Sequence, residues 1–246
     1  MNKNFQSLIL EFLFFAIMIF TVYEFWDNTL YSTIIGIVLV IIALLFFHTK
    51  EDLVFFWTGA LLGTGAEIVC IYYGAWNYSN PVILGIPLWL PIFWGFASLF
   101  VRRLRDTVYK LEHIDIHYKH NEDLPLSYLI LIYDIFLFGL SIVFISLLWR
   151  TNILLLIILL VLFWLTTHNF HKKEDLFFVS MAAIVGPIAE IICINAGAWY
   201  YSNPSIFGIP SWLPVAYAIL GLVLRRTVST IIRLIYKKPK FDNKSY

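Results

Sequence analysis

Eight apolar segments, separated by short polar stretches, follow one another along this chain of 246 residues. Inside a bilayer every backbone N–H and C=O group must be hydrogen-bonded within the protein, so segments of about 20 apolar residues cross as helices. Charged residues make up 13% of the chain, whereas a soluble protein carries about 25%. Lipid must therefore cover much of the surface, and we predict an all-α integral membrane protein with eight transmembrane helices. The predicted spans are Ser7–Trp26, Leu30–Phe47, Asp52–Tyr73, Pro87–Val101, Leu126–Trp149, Ile153–Thr167, Asp175–Ala196 and Pro210–Leu224.

Lysine and arginine are distributed unevenly between the two sides that these spans define. With the N-terminus in the cytoplasm, sixteen of the 17 basic residues fall inside and only Arg150 falls outside. Such a bias orients membrane proteins, so we expect a multi-pass protein with both termini in the cytoplasm. The apolar run after Met1 is long for a signal peptide and contains Glu11 and Glu24, which favours a retained first helix.

The second half of the chain repeats the first at an offset of 123 residues, without a gap. Between residues 48 and 103, 30 of 56 positions are identical to their counterparts. Four spans are an even number, so both copies enter the membrane in the same orientation, which predicts a parallel 4+4 internal duplication. We expect a first four-helix repeat (1–105), a cytoplasmic linker (106–124), a second four-helix repeat (125–236) and a basic cytoplasmic tail (237–246).

Glu67 and Glu190 occupy matching positions inside two predicted spans. A carboxylate at the centre of a membrane helix costs roughly 2.5–3.5 kcal/mol and ordinarily has a functional reason. We predict that both glutamates belong to a functional site, with catalytic roles if the protein is an enzyme. The alternative is that hydrogen-bonded carboxyl groups hold the two units together. Cys70 and Cys193 follow three residues later, but cysteine in such a place is usually a small buried hydrophobe, so we predict no metal and no cofactor.

A broken, aromatic loop follows each glutamate helix. Gly74 suits the end of a helix, and the apolar residues that follow are interrupted by Gly85 and two prolines. Interrupted apolar segments at matching places in two repeats indicate a binding site, and we expect the loop to fold back into the outer edge of the bilayer. The alternative is an interfacial aromatic belt. The predicted ligand-binding residues are Trp76, Tyr78, Asn80, Trp89, Trp199, Tyr201, Asn203 and Trp212.

For the other ionisable residues we predict structural roles. Glu11 and Asp134 lie near the cytoplasmic ends of their spans, where they snorkel or meet arginines. The pairs Arg102-Arg103 and Arg225-Arg226 are interpreted as topology determinants that contact anionic lipid. The linker histidines are more simply explained by a solvated helix than by a metal site; they are His113, His117 and His120.

Several classes of function lose support. A net charge of +1 argues against a nucleic-acid partner. The chain contains no phosphate-binding glycine loop, serine-nucleophile elbow or CxxC motif, which disfavours ATP-driven transport and serine hydrolysis. Two cysteines exclude a disulfide framework.

Two resemblances narrow the ligand class. Tyr73-Gly-Ala-Trp-Asn-Tyr-Ser-Asn-Pro81, then Trp89-Leu-Pro91 and Arg102-Arg103, resembles the Insig family. That resemblance implies a non-enzymatic membrane protein that binds a sterol or diacylglycerol-like lipid between its helices. Glu67 with the Gly74-x-Trp-x-Tyr stretch, Gly85-Ile-Pro and Trp94 is similar to the membrane carotenoid hydratases, which implies an isoprenoid substrate with Glu67 or Glu190 as acid/base.

The leading interpretation is a polytopic protein that binds a membrane lipid or isoprenoid within the bilayer, and it leaves open whether the protein also acts on that molecule as an enzyme. One alternative is an intramembrane enzyme that hydrates or isomerises an isoprenoid or carotenoid, with one glutamate as proton donor. Another is a carrier of small solutes or lipids, because duplicated units of this kind are frequent in transporters.

Overall fold

A computed structural model describes residues 3–47, 49–112, 124–168 and 173–236, which form eight helices and two short strands. The linker histidines and the tail lie outside the described residues. The prediction of an all-helical protein is confirmed. The elements are α1 Lys3–Phe25, α2 Thr29–Phe47, α3 Lys50–Tyr72, β1 Trp76–Tyr78, α4 Leu90–Leu111, α5 Leu124–Leu148, α6 Asn152–His168, α7 Lys173–Asn195, β2 Trp199–Tyr201 and α8 Leu213–Tyr236.

Five helices in the described part of the chain are long and apolar enough to cross a membrane. Two further apolar helices are shorter, Thr29–Leu45 and Asn152–His168. In the remaining helix, α4, four closely spaced charged residues between Arg102 and Asp106 interrupt the apolar sequence, although the helix itself is continuous. The five candidate spans are Asn4–Phe25, Glu51–Tyr72, Tyr128–Leu148, Asp175–Asn195 and Leu213–Ile235.

Helices α4 and α8 extend well past the predicted spans, from Val101 to Leu111 and from Leu224 to Tyr236. The apolar run ends there, but arginine, lysine and leucine are good helix formers and allow the helix to continue. The end of the apolar segment therefore marks the start of the charged residues and not the end of the helix.

Four helices form the centre of the molecule. Helix α3 packs on α4 and α7 on α8, while α3 also contacts α8 and α4 contacts α7. Helices α1 and α2 lie against α4, and helices α5 and α6 lie against α8. In addition α1 contacts α7 and α5 contacts α3, so one outer helix of each half touches an inner helix of the other half.

Small residues let α3 and α4 approach closely. A Cβ atom at Gly59 would overlap the Ser98 side chain, and one at Gly63 would overlap the Trp94 ring. Glycine at such contacts permits tight helix packing in membranes.

The substitution Gly59→Ala is expected to lower the free energy of unfolding by about 1–3 kcal/mol, because the added methyl forces the two helices apart. Gly65→Ala in the same helix is the matched control, since no atom lies within 4 Å of its added Cβ. Unfolding of both variants in mixed micelles with increasing SDS measures the difference. Equal stability of the two variants would contradict this packing.

Buried ion pairs join the first turn of α3 to α4. Asp52 is fully buried and forms ion pairs with Arg102 and, at 2.9 Å, with Arg103. The same carboxylate accepts a hydrogen bond from the Thr49 backbone N–H at 3.0 Å and completes a capping box at the start of α3. Arg102 also pairs with Glu51 at 3.1 Å.

The second half repeats the pairing of one buried aspartate with two arginines. Asp175 pairs with Arg225 and, at 3.0 Å, with Arg226. Arg226 also pairs with Asp134 on α5 at 3.1 Å and donates to the Thr166 carbonyl on α6 at 2.9 Å. The prediction that Asp134 meets an arginine is confirmed. The interpretation of these arginines as lipid contacts is wrong, because each is about 5% exposed and paired inside the protein.

A short antiparallel strand pair, which we did not predict, joins the two halves. Trp76 lies opposite Tyr201, and Tyr78 lies opposite Trp199. Gly74 and Gly197 precede the strands with φ of +80° and +88°, a conformation that glycine adopts without strain. The strands are brief because each joins the end of a helix to an irregular loop.

Candidate functional site

The strand pair places the loop aromatics directly beside the glutamates. The Trp76 Nε1 donates a hydrogen bond to Glu67 Oε2 at 2.6 Å. The Trp199 Nε1 donates to Glu190 Oε2 at 2.7 Å. The predicted site residues therefore meet because a glycine turn after each glutamate helix returns the chain toward its own carboxyl group.

Glu190 accepts two further hydrogen bonds. The Tyr217 hydroxyl on α8 donates to Oε1 at 2.6 Å, and the Tyr201 hydroxyl on β2 donates to Oε2 at 3.2 Å. Both glutamates are buried, at 6% and 7% exposure. Buried carboxyl groups must be hydrogen-bonded, and Glu190 meets that requirement fully within the protein.

The strand tyrosines remain hydrogen-bond donors. Burial raises the pKa of the Tyr78 and Tyr201 phenols well above the ordinary value, and the neighbouring glutamates add to the effect. Their hydroxyl groups stay protonated at any physiological pH and can donate hydrogen bonds to the glutamates beside them.

Two cavities flank the carboxyl groups. The larger, cavity 1, has an empty volume of about 1020 Å³, part of which is open to the outside, and lies between α1, α3, α4, α7 and α8; Phe15 and Met18 of α1 line it. The smaller, cavity 2, has an empty volume of about 580 Å³ and is lined by Phe138 and Ser141 of α5. Glu67 and Glu190 line both cavities.

The two cavities are lined by corresponding residues of the repeat. At the offset of 123, Phe15 and Met18 match Phe138 and Ser141, and these contribute to cavity 1 and cavity 2 respectively. The walls are almost entirely apolar side chains, with the carboxyl groups and aromatic N–H and O–H groups as polar exceptions. Such a composition suits a mostly apolar ligand with a small polar group.

Six of the eight predicted ligand-binding residues line these cavities. Cavity 1 is lined by Tyr78, Trp89 and Trp199. Cavity 2 is lined by Trp76, Tyr201 and Trp212.

The two predicted asparagines form hydrogen bonds to the backbone of neighbouring turns. The Asn80 side chain donates to the Asp27 carbonyl at the α1–α2 turn. The Asn203 side chain donates to the Arg150 carbonyl at 2.9 Å in the α5–α6 turn. Both asparagines tie the broken loop to a neighbouring turn, which satisfies backbone groups that have no partner in a helix.

Trp94 and Tyr217 complete the site; Trp94 belongs to the motif that resembles the hydratases, but neither residue was among the predicted ligand-binding residues. They occupy equivalent positions on α4 and α8 and stack on each other with ring centroids 5.9 Å apart. Their position in the sequence could have indicated a role in the site, because each lies about one turn into the helix that follows a Trp-Leu-Pro motif. The two copies carry different residues there, so identity between the repeats does not point to this position.

The cysteines behave as expected of small apolar groups. Cys70 and Cys193 are both free and buried, at 1% and 2% exposure. Across the described residues no group of histidine, cysteine, aspartate and glutamate side chains is arranged to hold a metal ion.

Comparisons with known proteins identify the fold. No family model and no curated protein matches the sequence. Two crystal structures of an Insig homologue from Mycobacterium vanbaalenii, one of them a cross-linked trimer of a cysteine variant, match this chain with a TM-score of 0.61. The identity is 16%, and the match covers 77% of this chain and 96% of the other. The chain is therefore an integral membrane protein with the fold of that mycobacterial Insig homologue.

Proposed function

We propose that the protein binds a lipid or isoprenoid within the bilayer and that it does so without catalysis. The observation that carries this proposal is cavity 1, an apolar cavity between membrane helices with buried carboxyl groups in its wall. The fold likeness to an Insig homologue agrees with the motif resemblance.

The proposal includes a 4+4 duplication with eight crossings and both termini in the cytoplasm. Its support is the antiparallel register, in which Trp76 opposite Tyr201 and Tyr78 opposite Trp199 are equivalent pairs. The two ring pairs also share an interplanar angle of 57°. Such equivalence follows if a twofold axis relates two parallel repeats and passes between the strands.

Purified protein is expected to carry lipid that is lost in the double variant Glu67→Gln plus Glu190→Gln, because the exchange disturbs the polar group at the meeting point of both cavities. Native mass spectrometry from mild detergent measures the bound mass. Glu24→Gln is the matched control, since Glu24 is exposed near the end of α1 and its substitution should leave the bound mass unchanged. A wild-type protein without bound lipid would contradict the proposal.

The enzymatic alternative makes a different prediction for the same residues. A hydratase or isomerase would need one carboxyl group able to move a proton, and Glu67 is buried on the wall of both cavities. Expression in a carotenoid-producing host would then change the pigment profile, and Glu67→Gln would restore it.

A further inference from the structure

The broken loop after each strand contains a tight hairpin turn, at residues 83–86 in the first half and 206–209 in the second. In the first hairpin the Ile86 N–H donates to the Ile83 carbonyl at 2.9 Å, and the Ile86 carbonyl accepts from the N–H groups of Val82 and Ile83. The second hairpin repeats all three bonds. Backbone that lies in lipid needs hydrogen-bond partners within the protein, and these turns pair the peptide groups at their own base.

A large apolar side chain occupies the tip of each hairpin. Leu84 has φ of +51° and Phe207 has φ of +53°, the left-handed conformation that a type I′ turn requires at its first central residue. Asparagine, aspartate and glycine are preferred at such a position, and a bulky residue is strained there. The two tip side chains are nevertheless 68% and 75% exposed. The strain in both copies is explained if the surroundings of the tips favour an apolar group.

Each hairpin lies beside the last turn of a helix that is long and apolar enough to cross the membrane. A Cβ atom at Gly85 would meet the Ile71 side chain at 2.7 Å, and one at Gly208 would meet Ile194 at 2.9 Å. Ile71 and Ile194 are the penultimate residues of the candidate spans in α3 and α7. The hairpins therefore lie at the depth where these two spans end.

The composition of the loops fits a lipid surface better than water or a protein partner. No charged residue occurs in residues 74–101 or 197–224, which include both hairpins, whereas loops in water are ordinarily polar. A folded partner would require one particular shape of side chain, but the tips are leucine in one half and phenylalanine in the other. Fluid acyl chains accommodate either.

The same hairpins also contact the candidate site. Ile86, two residues after the first tip, is buried in the cluster that contains Tyr78 and Trp89. Ile209 is buried in the corresponding cluster of the second half. Each hairpin therefore turns one apolar side chain outward and another toward the aromatic residues of the site.

We propose that the two hairpins are membrane anchors, whose tips Leu84 and Phe207 insert into the lipid leaflet at the strand end of the molecule. The anchors hold the aromatic wall of the site at the edge of the hydrocarbon. The inference goes beyond the proposed function and does not depend on a ligand in either cavity.

Spin labels at the tips test the proposal. Leu84→Cys and Phe207→Cys are each labelled with a nitroxide on the full chain, in vesicles of phosphatidylcholine and phosphatidylglycerol; the two native cysteines are buried, and the unsubstituted chain gives their background. Collisions with oxygen, which concentrates in hydrocarbon, are compared with collisions with a water-soluble nickel chelate. The controls are Asp27→Cys and Arg150→Cys at exposed turns and Leu61→Cys on the exposed face of α3.

Both tips should collide more with oxygen than with the chelate, as the label at Leu61→Cys does, while the two turn controls show the opposite preference. A tip that behaves like the turn controls lies in water and would overturn the proposal. A tip shielded from both reagents lies against a second copy of the chain or another protein, which would also overturn it.

The double variant Leu84→Asn plus Phe207→Asn separates lipid from water by the sign of its effect. Asparagine tolerates positive φ, so in water this variant would be more stable than the wild type. In lipid the loss of two apolar groups outweighs the relief of strain, and the equilibrium constant for unfolding in SDS-containing lipid micelles should rise roughly tenfold or more.

The exchange Leu84→Phe plus Phe207→Leu is the matched control, because it keeps the apolar groups and the composition. Its unfolding constant should stay within about threefold of the wild type. An asparagine variant without a loss of stability would overturn the anchors. An exchange variant as destabilised as the asparagine variant would mean that the tips fit a particular protein surface, and this result too would contradict the proposal.

Discussion

Replacing Asp175 by asparagine is expected to lower the free energy of unfolding by about 3–5 kcal/mol, the usual cost of breaking a buried ion pair by removing one partner. Asp175 is 1% exposed, and its two oxygens face the guanidinium groups of Arg225 and Arg226. An asparagine of the same shape keeps one acceptor but loses the charge, so two buried cations lose a shared counter-ion. Unfolding in SDS-containing mixed micelles, followed by circular dichroism, measures the loss.

The matched control for this substitution is Asp27→Asn. Asp27 lies exposed at the turn between α1 and α2, where removal of a carboxylate should change stability by less than about 0.5 kcal/mol. If Asp175→Asn proved as mild as this control, the buried network would not hold α7 to α8.

Glu190→Leu is expected to destabilise the protein more than Glu67→Leu, by at least about 2 kcal/mol. Removal of Glu190 leaves three close donors without their acceptor, from Trp199, Tyr201 and Tyr217. Removal of Glu67 leaves one close donor, the Trp76 N–H, together with Trp94 and Tyr78, which approach Glu67 in a less favourable geometry. Each unsatisfied buried donor costs about 1–3 kcal/mol, and the incoming leucine is the same in both variants.

The pair Glu190→Leu and Glu67→Leu forms its own control, because both glutamates are buried to a similar degree at equivalent positions. Unfolding curves recorded in the same detergent without added lipid isolate the protein's own hydrogen bonds. Equal losses in the two variants would mean that the donors around Glu190 contribute little to stability.

The helices could be predicted because each needs only local information. Each of the eight helices contains an apolar run near the length of a bilayer crossing, and basic residues lie between several of these runs. The ends of α4 and α8 could not be found this way, because hydropathy changes at Arg102 and Arg225 while the helix continues through residues paired with Asp52 and Asp175.

The site was predicted in part for a similar reason. Each glutamate and its tryptophan lie nine residues apart, and the repeat drew attention to both. The strand pair joins segments more than a hundred residues apart, and three-residue strands carry too little periodicity to be recognised. Asn80 and Asn203 were assigned to the ligand on composition, whereas their partners are carbonyls in a distant turn.

The difference between the halves at Trp94 and Tyr217 shows a limit of arguing from repeats. Identical positions identify what both copies need, namely the glutamates, the turn glycines and the arginines. Positions that differ need the side-chain geometry, which shows that the Tyr217 hydroxyl donates to Glu190 Oε1 and that Trp94 stacks on Tyr217.

Photo-crosslinking of a bound lipid tests the central claim most directly. A diazirine-labelled lipid alcohol is incorporated into membranes that contain the protein, and the labelled peptides are identified by mass spectrometry. Lipid in cavity 1 should label residues of α1 and α7 on its wall, such as Met18, Met181 and Ala182, and an excess of unlabelled alcohol should compete. Labels confined to outward-facing residues such as Leu45, Trp57 and Leu61, which are more than 60% exposed, would contradict the account.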